Sequence, residues 1–370
     1  MSEMNPNPDG QRESLILHPM DDMRDGKDIH QWPEPLGQVI SYVHASLYEV
    51  YAEYDIDSIK KQSYHKIFSF LAVFFGSSAM VLAIFQVFLG SLGFTIETEP
   101  VKMFELMAFF IALIAVGVAL GSRWHKDWLK KRFLAEQCRS LKFRSLIHPY
   151  LWCASNKSWN DRFSLWKERF NTKVAKVIKA DEVSLEEYLS GDEITTAPPG
   201  SPGCSVDVPY LEMLVDYYQK KRIITQIAYF KNRAHYFESI NMRTGWIPDF
   251  CFIAGVVCAG ALFGIGFFIS ENDPALHFFS SILLLLTLIL PVFAIGARTM
   301  ISSIEVSRSA TLFHAKCIAL ENFNVRLSEE LSRDTIQWVE IMKILWQCEY
   351  FFEIENREWL RIMNDAVWFL

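Results

Sequence analysis

Four apolar runs without a charged residue constrain this chain more than any other feature of its sequence. They cover residues 67–96, 106–122, 250–270 and 274–297 and are 30, 17, 21 and 24 residues long. A helix of about 20 apolar residues crosses the hydrocarbon core of a bilayer. Charged residues make up only 21% of the 370 positions, below the roughly 25% that is usual in soluble proteins. The runs predict an all-α membrane protein whose four transmembrane helices form two hairpins, joined to long cytoplasmic helices.

The charges that flank the runs predict the topology. Basic residues precede the first run and follow the second, whereas the loop between them is mainly acidic, and the turn between the last two runs carries only Glu271 and Asp273. Cytoplasmic flanks of membrane helices carry the excess of Lys and Arg. We therefore expect a multi-pass membrane protein, with both termini and the segment 123–249 in the cytoplasm.

The whole sequence divides into five segments. A polar segment of 1–35 is predicted to be flexible, and 36–147 forms a first two-span unit. A cytoplasmic insert of basic and then acidic composition covers 148–208, a second two-span unit covers 209–327, and a cytoplasmic helix covers 328–370. Phe133, Cys138 and Phe143 after the second run are echoed by Phe313, Cys317 and Phe323 after the fourth. This weak echo indicates a tandem duplication.

The cytoplasmic helices also carry a resemblance. The stretch 217–234 before the third run and the stretch 128–144 after the second are similar to the helices that flank the two spans of the SLATT group, two-transmembrane effectors of bacterial defence. The resemblance covers 36–147 and 209–327, and Lys316 departs from it where the first copy has Glu136. It implies an oligomeric pore of the bacterial inner membrane, such as a tetramer, that acts in anti-phage defence through abortive infection.

The same resemblance implies how such a pore is controlled. Channel effectors of Hailong-type systems are similar in plan. By analogy, the signal is a nucleotide or a single-stranded oligonucleotide, DNA included, from a partner nucleotidyltransferase encoded nearby. The expected outcome of opening is membrane depolarisation followed by cell death or arrest.

Small and polar residues form one seam along the first run. They recur at alternating steps of three and four residues: Ser69, Ala72, Gly76, Ala79, Ala83, Gln86 and Gly90. Such a seam lets membrane helices approach closely. A second interpretation is a pore-lining face with Gln86 as its polar ring. The spacing of Gly260 and Gly264 in the third run predicts close helix packing as well.

The uncharged runs argue against active transport. Pumps and secondary transporters usually place ionisable groups or broken helices at mid-membrane. None of the four runs contains Asp, Glu, Lys or Arg. We therefore expect a passive pore or an anchor.

A basic, Trp-bearing stretch is the candidate ligand site. Residues 123–180 contain fifteen Lys or Arg against four acidic residues, and Trp152, Trp159 and Trp166 recur every seven residues. Cations that contact phosphates and rings that stack on bases suit a nucleotide ligand. The predicted ligand-binding residues are Lys157, Trp159, Arg162, Trp166, Lys167, Arg169 and Lys173. The alternative is a Trp-lined core helix whose basic face is solvated or pairs with the acidic segment 181–212.

The remaining patterns do not indicate catalysis. An apolar seam of Trp338, Ile341, Leu345, Cys348 and Phe352 is interrupted at Glu355 and continues with Trp359, Met363 and Ala366. It fits either self-association or a helical bundle. Phosphate-binding loops, zinc-binding His pairs and nucleophile elbows are missing from the sequence, so we expect no enzyme, no cofactor and no metal site. The leading hypothesis is a ligand-gated pore, and the alternative is a non-conducting scaffold or receptor that recruits a soluble partner.

Overall fold

The predicted helical class is confirmed by a computed structural model that describes residues 23, 31–91, 99–154, 157–182, 205–268, 274–303 and 306–365. Most of the predicted flexible segment 1–35 lies outside these residues. The helices are α1 (Leu36–Ser91), α2 (Glu99–Gly121), α3 (Trp124–Leu146), α4 (Pro149–Trp152), α5 (Trp159–Lys179), α6 (Val208–Tyr218), α7 (Thr225–Thr244), α8 (Ile247–Phe268), α9 (Pro274–Ser303), α10 (Val306–Leu331) and α11 (Trp338–Asp365).

Local sequence explains several helix boundaries. Ser158 caps α5 by accepting a hydrogen bond from the backbone N–H of Asp161, and His148 caps α4, which has Pro149 in its first turn. Arg123 separates α2 from α3 with φ at 52°, a left-handed conformation that breaks the helical path. A π-helical segment, Gln219–Ile224, joins α6 to α7.

One short β ladder interrupts the helical architecture, and the sequence did not indicate it. Strand β1 (Cys153–Ala154) pairs antiparallel with strand β2 (Ser205–Val206). The backbone N–H of Asp207 extends this contact by donating to the carbonyl of Trp152 at 2.8 Å. The ladder brings together the two ends of the predicted cytoplasmic insert.

The chain forms two compact units. Among the described residues, the first is drawn from Met1–Gln62, His125–Arg233 and Leu312–Ala366, and the second from Ser63–Trp124 and Ala234–Thr311. The core of the first unit is mainly apolar and is contributed by α1, α3, α4, α5, α6, α7, α10 and α11. Helix α1 belongs to both units, since residues 36–62 lie in the first and 63–91 in the second.

In the part of the chain that the structure describes, four helices are long and apolar enough to cross a membrane. The candidate spans are Leu36–Gly90, Glu99–Gly121, Val208–Ile265 and Leu276–Ile301. Large apolar side chains of the second unit are exposed, among them Val87, Met103, Leu120 and Phe263. An apolar surface of this extent is unusual in a soluble protein and is satisfied by lipid.

Close contacts between helices of the second unit occur at glycines. A Cβ built at Gly296 of α9 would meet Ser77 Oγ of α1 at 2.7 Å, and one built at Gly255 of α8 would meet the Pro291 ring of α9 at 3.3 Å. By contrast, nothing in the described chain lies within 4 Å of a Cβ built at Gly260 or Gly264. The close packing predicted at that pair is therefore not made among the described residues.

Candidate functional site

The tryptophans of the basic stretch lie in the core of the first unit. Along α5, the rings of Trp159, Phe163, Trp166 and Phe170 stack in sequence, with centroid separations of 5.9, 5.5 and 5.2 Å. Trp166 is only 1% exposed, and so is Trp152. These four stacked rings, here called the aromatic ladder, support the Trp-lined core helix that the sequence left open as an alternative.

Hydrogen bonds hold the three indoles in place. Trp152 Nε1 donates to the carbonyl of Ile147 at 2.9 Å, and Trp166 Nε1 donates to that of Ser145 at 2.8 Å. Trp159 Nε1 donates to Gln38 Oε1 of α1 at 3.0 Å. Trp166 has no free face on which a base could stack, and only Trp159 remains partly exposed.

Arg162 is also built into the fold. Its guanidinium donates to the carbonyls of Leu151 and Cys153 at 3.2 and 3.1 Å and to Asp207 Oδ2 at 3.0 Å. It is 7% exposed. Because these partners flank the β ladder, Arg162 ties α5 to both ends of the insert and is not open to a ligand.

The other predicted cations lie at the surface. Lys167 Nζ lies 4.8 Å from the centroid of the Phe163 ring, and the Arg169 guanidinium lies 4.7 Å from that of Tyr150. Both are cation–π contacts. Lys157 and Lys173 are exposed. Of the seven predicted ligand-binding residues, Lys157, Lys167, Arg169 and Lys173 therefore remain accessible.

Two of these residues belong to a larger group, here called the basic cluster: Arg144, His148, Arg169, Lys173 and Lys176. The surrounding protein and the positive charges of the three cations in the cluster lower the pKa of Lys173. Burial, Lys173 and Arg169 lower the pKa of His148 to about 4. His148 is consequently neutral at physiological pH. The sequence placed Arg169 and Lys173 in the site but missed the other three members.

A buried ion pair lies on the π-helical segment, where the sequence indicated no site. Arg222 Nε donates to Glu349 Oε1 at 2.9 Å, and both side chains are almost fully buried. Tyr218 donates its hydroxyl to the same carboxylate oxygen at 2.7 Å. The guanidinium also lies 4.0 Å from the ring centroid of Phe352. A charge buried this deeply requires such partners.

A second charge network joins α1 to α3. Arg132 contacts Asp55 Oδ1 at 2.9 Å and Glu136 Oε1 at 2.6 Å, and Arg139 contacts Glu136 at 2.6 Å. Arg139 also donates to the Tyr51 hydroxyl at 2.7 Å. Burial alone would raise the pKa of Glu136, but Arg139 and Arg132 lower it to about 2.

Two departures in the sequence pattern explain each other. Lys316 stands where the first copy of the predicted duplication has Glu136, and Glu355 interrupts the apolar seam of the tail. In the structure Lys316 Nζ contacts Glu355 Oε2 at 2.8 Å. The seam itself, Trp338, Ile341, Leu345, Cys348 and Phe352, is buried in the first unit, which favours the bundle over self-association.

The acidic segment meets basic residues in two places. Asp181 lies 2.7 Å from Lys131 Nζ and also contacts Lys130, and Asp207 pairs with Arg162. Residues 183–204, which carry most of its other acidic side chains, lie outside the described residues.

The seam of the first span packs against other helices over much of its length. Ser69, Ala72 and Ala79 are buried, and a Cβ at Gly76 would lie 3.9 Å from Ala112 of α2. Ala83 is half-buried and Gly90 is exposed. These contacts favour the packing interpretation for the inner part of the seam.

The outer part of the seam carries a polar contact. Gln86 Nε2 donates to Glu105 Oε2 at 2.5 Å. The sequence placed Glu105 in the loop before the second run, but α2 begins at Glu99 and includes it. A carboxylate therefore lies beside the predicted polar ring.

The comparisons with known proteins give no family. No family model, no curated protein and no solved structure matches this chain. The SLATT resemblance stays a prediction. Within the described part of the chain, no group of three or more His, Cys, Asp or Glu residues is arranged to hold a metal ion.

Proposed function

We propose that this chain is the subunit of an oligomeric, passive membrane pore whose opening is controlled by its first unit. Helix α1 is the observation that carries the proposal. It runs for 56 residues without a break and contributes to both units. A continuous helix transmits a shift or rotation along its length, so rearrangement of the first unit would reach the first span directly.

The polar groups of the second unit support conduction without transport. None of the four apolar runs contains an Asp, Glu, Lys or Arg that could serve as a mid-membrane relay of the kind that pumps use. Gln86 and Glu105 instead form one polar contact at the outer end of the seam. In an oligomer that places this contact on its axis, the carboxylates would form a ring that favours cations.

The biological setting of the proposal comes from the resemblance of the cytoplasmic helices. We propose an effector of bacterial anti-phage defence in the inner membrane, arranged as two hairpins with both termini in the cytoplasm. A nucleotide or oligonucleotide from a partner nucleotidyltransferase would act on the first unit. Opening would depolarise the membrane and kill or arrest the cell.

Conductance of the purified full chain in planar bilayers tests the pore. We expect single-channel currents that flow passively, without coupling to the gradient of a second ion. Gln86→Leu should change the single-channel conductance, because it removes the amide that holds Glu105. Val87→Leu is the matched control, since Val87 is adjacent, apolar and 73% exposed. It should leave the conductance unchanged.

Two outcomes would overturn parts of this proposal. Absence of current, both without ligand and with candidate nucleotides or oligonucleotides, would exclude a pore and favour the non-conducting scaffold. Currents that Gln86→Leu leaves unchanged would show that the seam serves helix packing alone.

A further inference from the structure

The basic cluster carries an excess of positive charge among the described residues. No carboxylate of the described chain forms an ion pair with Arg169, Lys173 or Lys176. Arg144 does contact a carboxylate, Glu353, but Glu353 also lies 3.4 Å from Arg357. The local excess is thus at least three positive charges. Like charges held together in this way are stabilised by an anion.

The cluster is also fixed in position. Arg169, Lys173 and Lys176 lie at i, i+4 and i+7 of α5, so they share one face and extend over about 10 Å of helix. The hydrogen bond from Trp166 to Ser145 and the contact of Arg169 with Tyr150 hold this helix against residues 145–150. The cations are therefore presented by a rigid support.

His148 adds a neutral donor to the cluster. Its Nδ1 accepts a hydrogen bond from the backbone N–H of Tyr150 at 3.2 Å. Since the imidazole is neutral at physiological pH, its proton resides on Nε2. That N–H can donate to an anion beside Arg169 and Lys173.

We propose that the basic cluster binds a soluble ligand through several phosphate groups, without stacking of a base. The length of the cationic face suits two or more linked phosphates and exceeds a single one. The aromatic rings near it are not open: Trp166 is buried and the Tyr150 ring is covered by Arg169. This inference rests on the proposed control of the first unit by a ligand, and it replaces base stacking with phosphate recognition.

Calorimetric titration of the full chain in a neutral detergent tests the site, with inorganic tripolyphosphate as the probe. Lys173→Gln should weaken binding roughly tenfold, because it removes one charge-assisted contact. Lys173→Arg should retain binding within about threefold, because the charge remains. Lys179→Gln is the matched control. Lys179 is exposed on the same helix, carries the same charge and lies outside the cluster.

Three results would overturn the inference. The first is that tripolyphosphate does not bind the folded wild-type chain, and the second is that Lys179→Gln weakens binding as much as Lys173→Gln does. A nucleoside triphosphate that binds more than about tenfold tighter than tripolyphosphate would show that the base is recognised after all.

Phospholipid headgroups share this chemistry and provide a competition arm. Dihexanoyl phosphatidylglycerol should displace tripolyphosphate only at far higher concentration. Displacement at equal or lower concentration would assign the cluster to a lipid and refute the soluble ligand. Binding is measured independently of conduction. Binding without current would therefore refute only the proposed pore, and current without binding would refute only this inference.

Discussion

The two units of the chain differ in how their polar side chains are hydrogen-bonded or paired. The interior of the first unit contains charged pairs such as Arg222–Glu349 and the Glu136 network, each with several partners. The described spans of the second unit hold few polar side chains, and their hydroxyls mostly return to their own helix. Thr287 donates to the carbonyl of Leu283, and Ser78 donates to that of Phe74.

This difference reflects the solvent that each surface meets. In the first unit, water solvates the outer faces, so apolar side chains concentrate inside and any enclosed charge needs a partner. In the second unit, the outer faces are as apolar as the interior, and small residues such as Gly296 and Gly255 govern packing. Perturbations of charge should therefore act through the first unit, and perturbations of exposed apolar bulk should have little effect in the second.

The largest effect should come from breaking the buried ion pair. Glu349→Leu leaves Arg222 buried without its counter-ion and should lower the free energy of unfolding by about 3–5 kcal/mol. Urea unfolding of the purified protein, followed by tryptophan fluorescence, measures it. Glu340→Leu is the control, because Glu340 pairs with Lys343 at the surface, 3.5 Å away. That exposed pair should contribute less than about 1 kcal/mol.

The second variant of this pair distinguishes lost charge from lost packing. Arg222→Met combined with Glu349→Leu removes both charges, and it should recover most of the lost stability. A double variant as unstable as Glu349→Leu would show that the pair is required for packing and would weaken the contrast between the units.

A matched pair of phenylalanines compares the two units directly. Phe170→Ala empties a core position of the aromatic ladder that is 1% exposed, and it should lower the free energy of unfolding by about 3 kcal/mol or more. Phe110→Ala removes the same side chain from α2, where it is 51% exposed. Because that ring faces detergent or lipid, the expected loss is below about 1 kcal/mol. Chemical denaturation in one detergent measures both, and equal losses would contradict the assignment of this face to lipid.

The spans and several helix boundaries could be predicted from the sequence because each depends on local chemistry. Uncharged runs of sufficient length are visible without tertiary structure, and so are Ser158 as a cap and Pro149 in a first turn. The start of α2 was missed, because a charged residue such as Glu105 ends an apolar run without ending the helix.

The site was less predictable, because one spacing fits several environments. Tryptophans every seven residues suit both an open stacking platform and a buried ladder, and only the contacts of Trp166 distinguish the two. In the same way, Lys220, Lys221 and Arg222 are adjacent cations, and nothing local shows that Arg222 meets a buried carboxylate. His148 and Arg144 join the basic cluster through tertiary packing, so no motif could have indicated them.

The smallest expected effect is a pH dependence that arises in the first unit at His148. Its pKa is lowered from 6.5 to about 4 by burial and by Lys173 and Arg169, so the unfolded chain takes up a proton at this site first. The stability that neutral His148 contributes is therefore fully present above pH 6.5 and is lost as the pH falls toward 4. The loss should be on the order of 2 kcal/mol.

His148→Asn keeps a capping acceptor for Tyr150 but cannot titrate, so its stability should fall less between pH 6.5 and 5 than that of the wild type. Urea unfolding at several pH values measures the difference. His314→Asn, at an exposed position of α10, is the control. If the wild type and His148→Asn lose stability equally over this range, the acid sensitivity does not originate in the basic cluster.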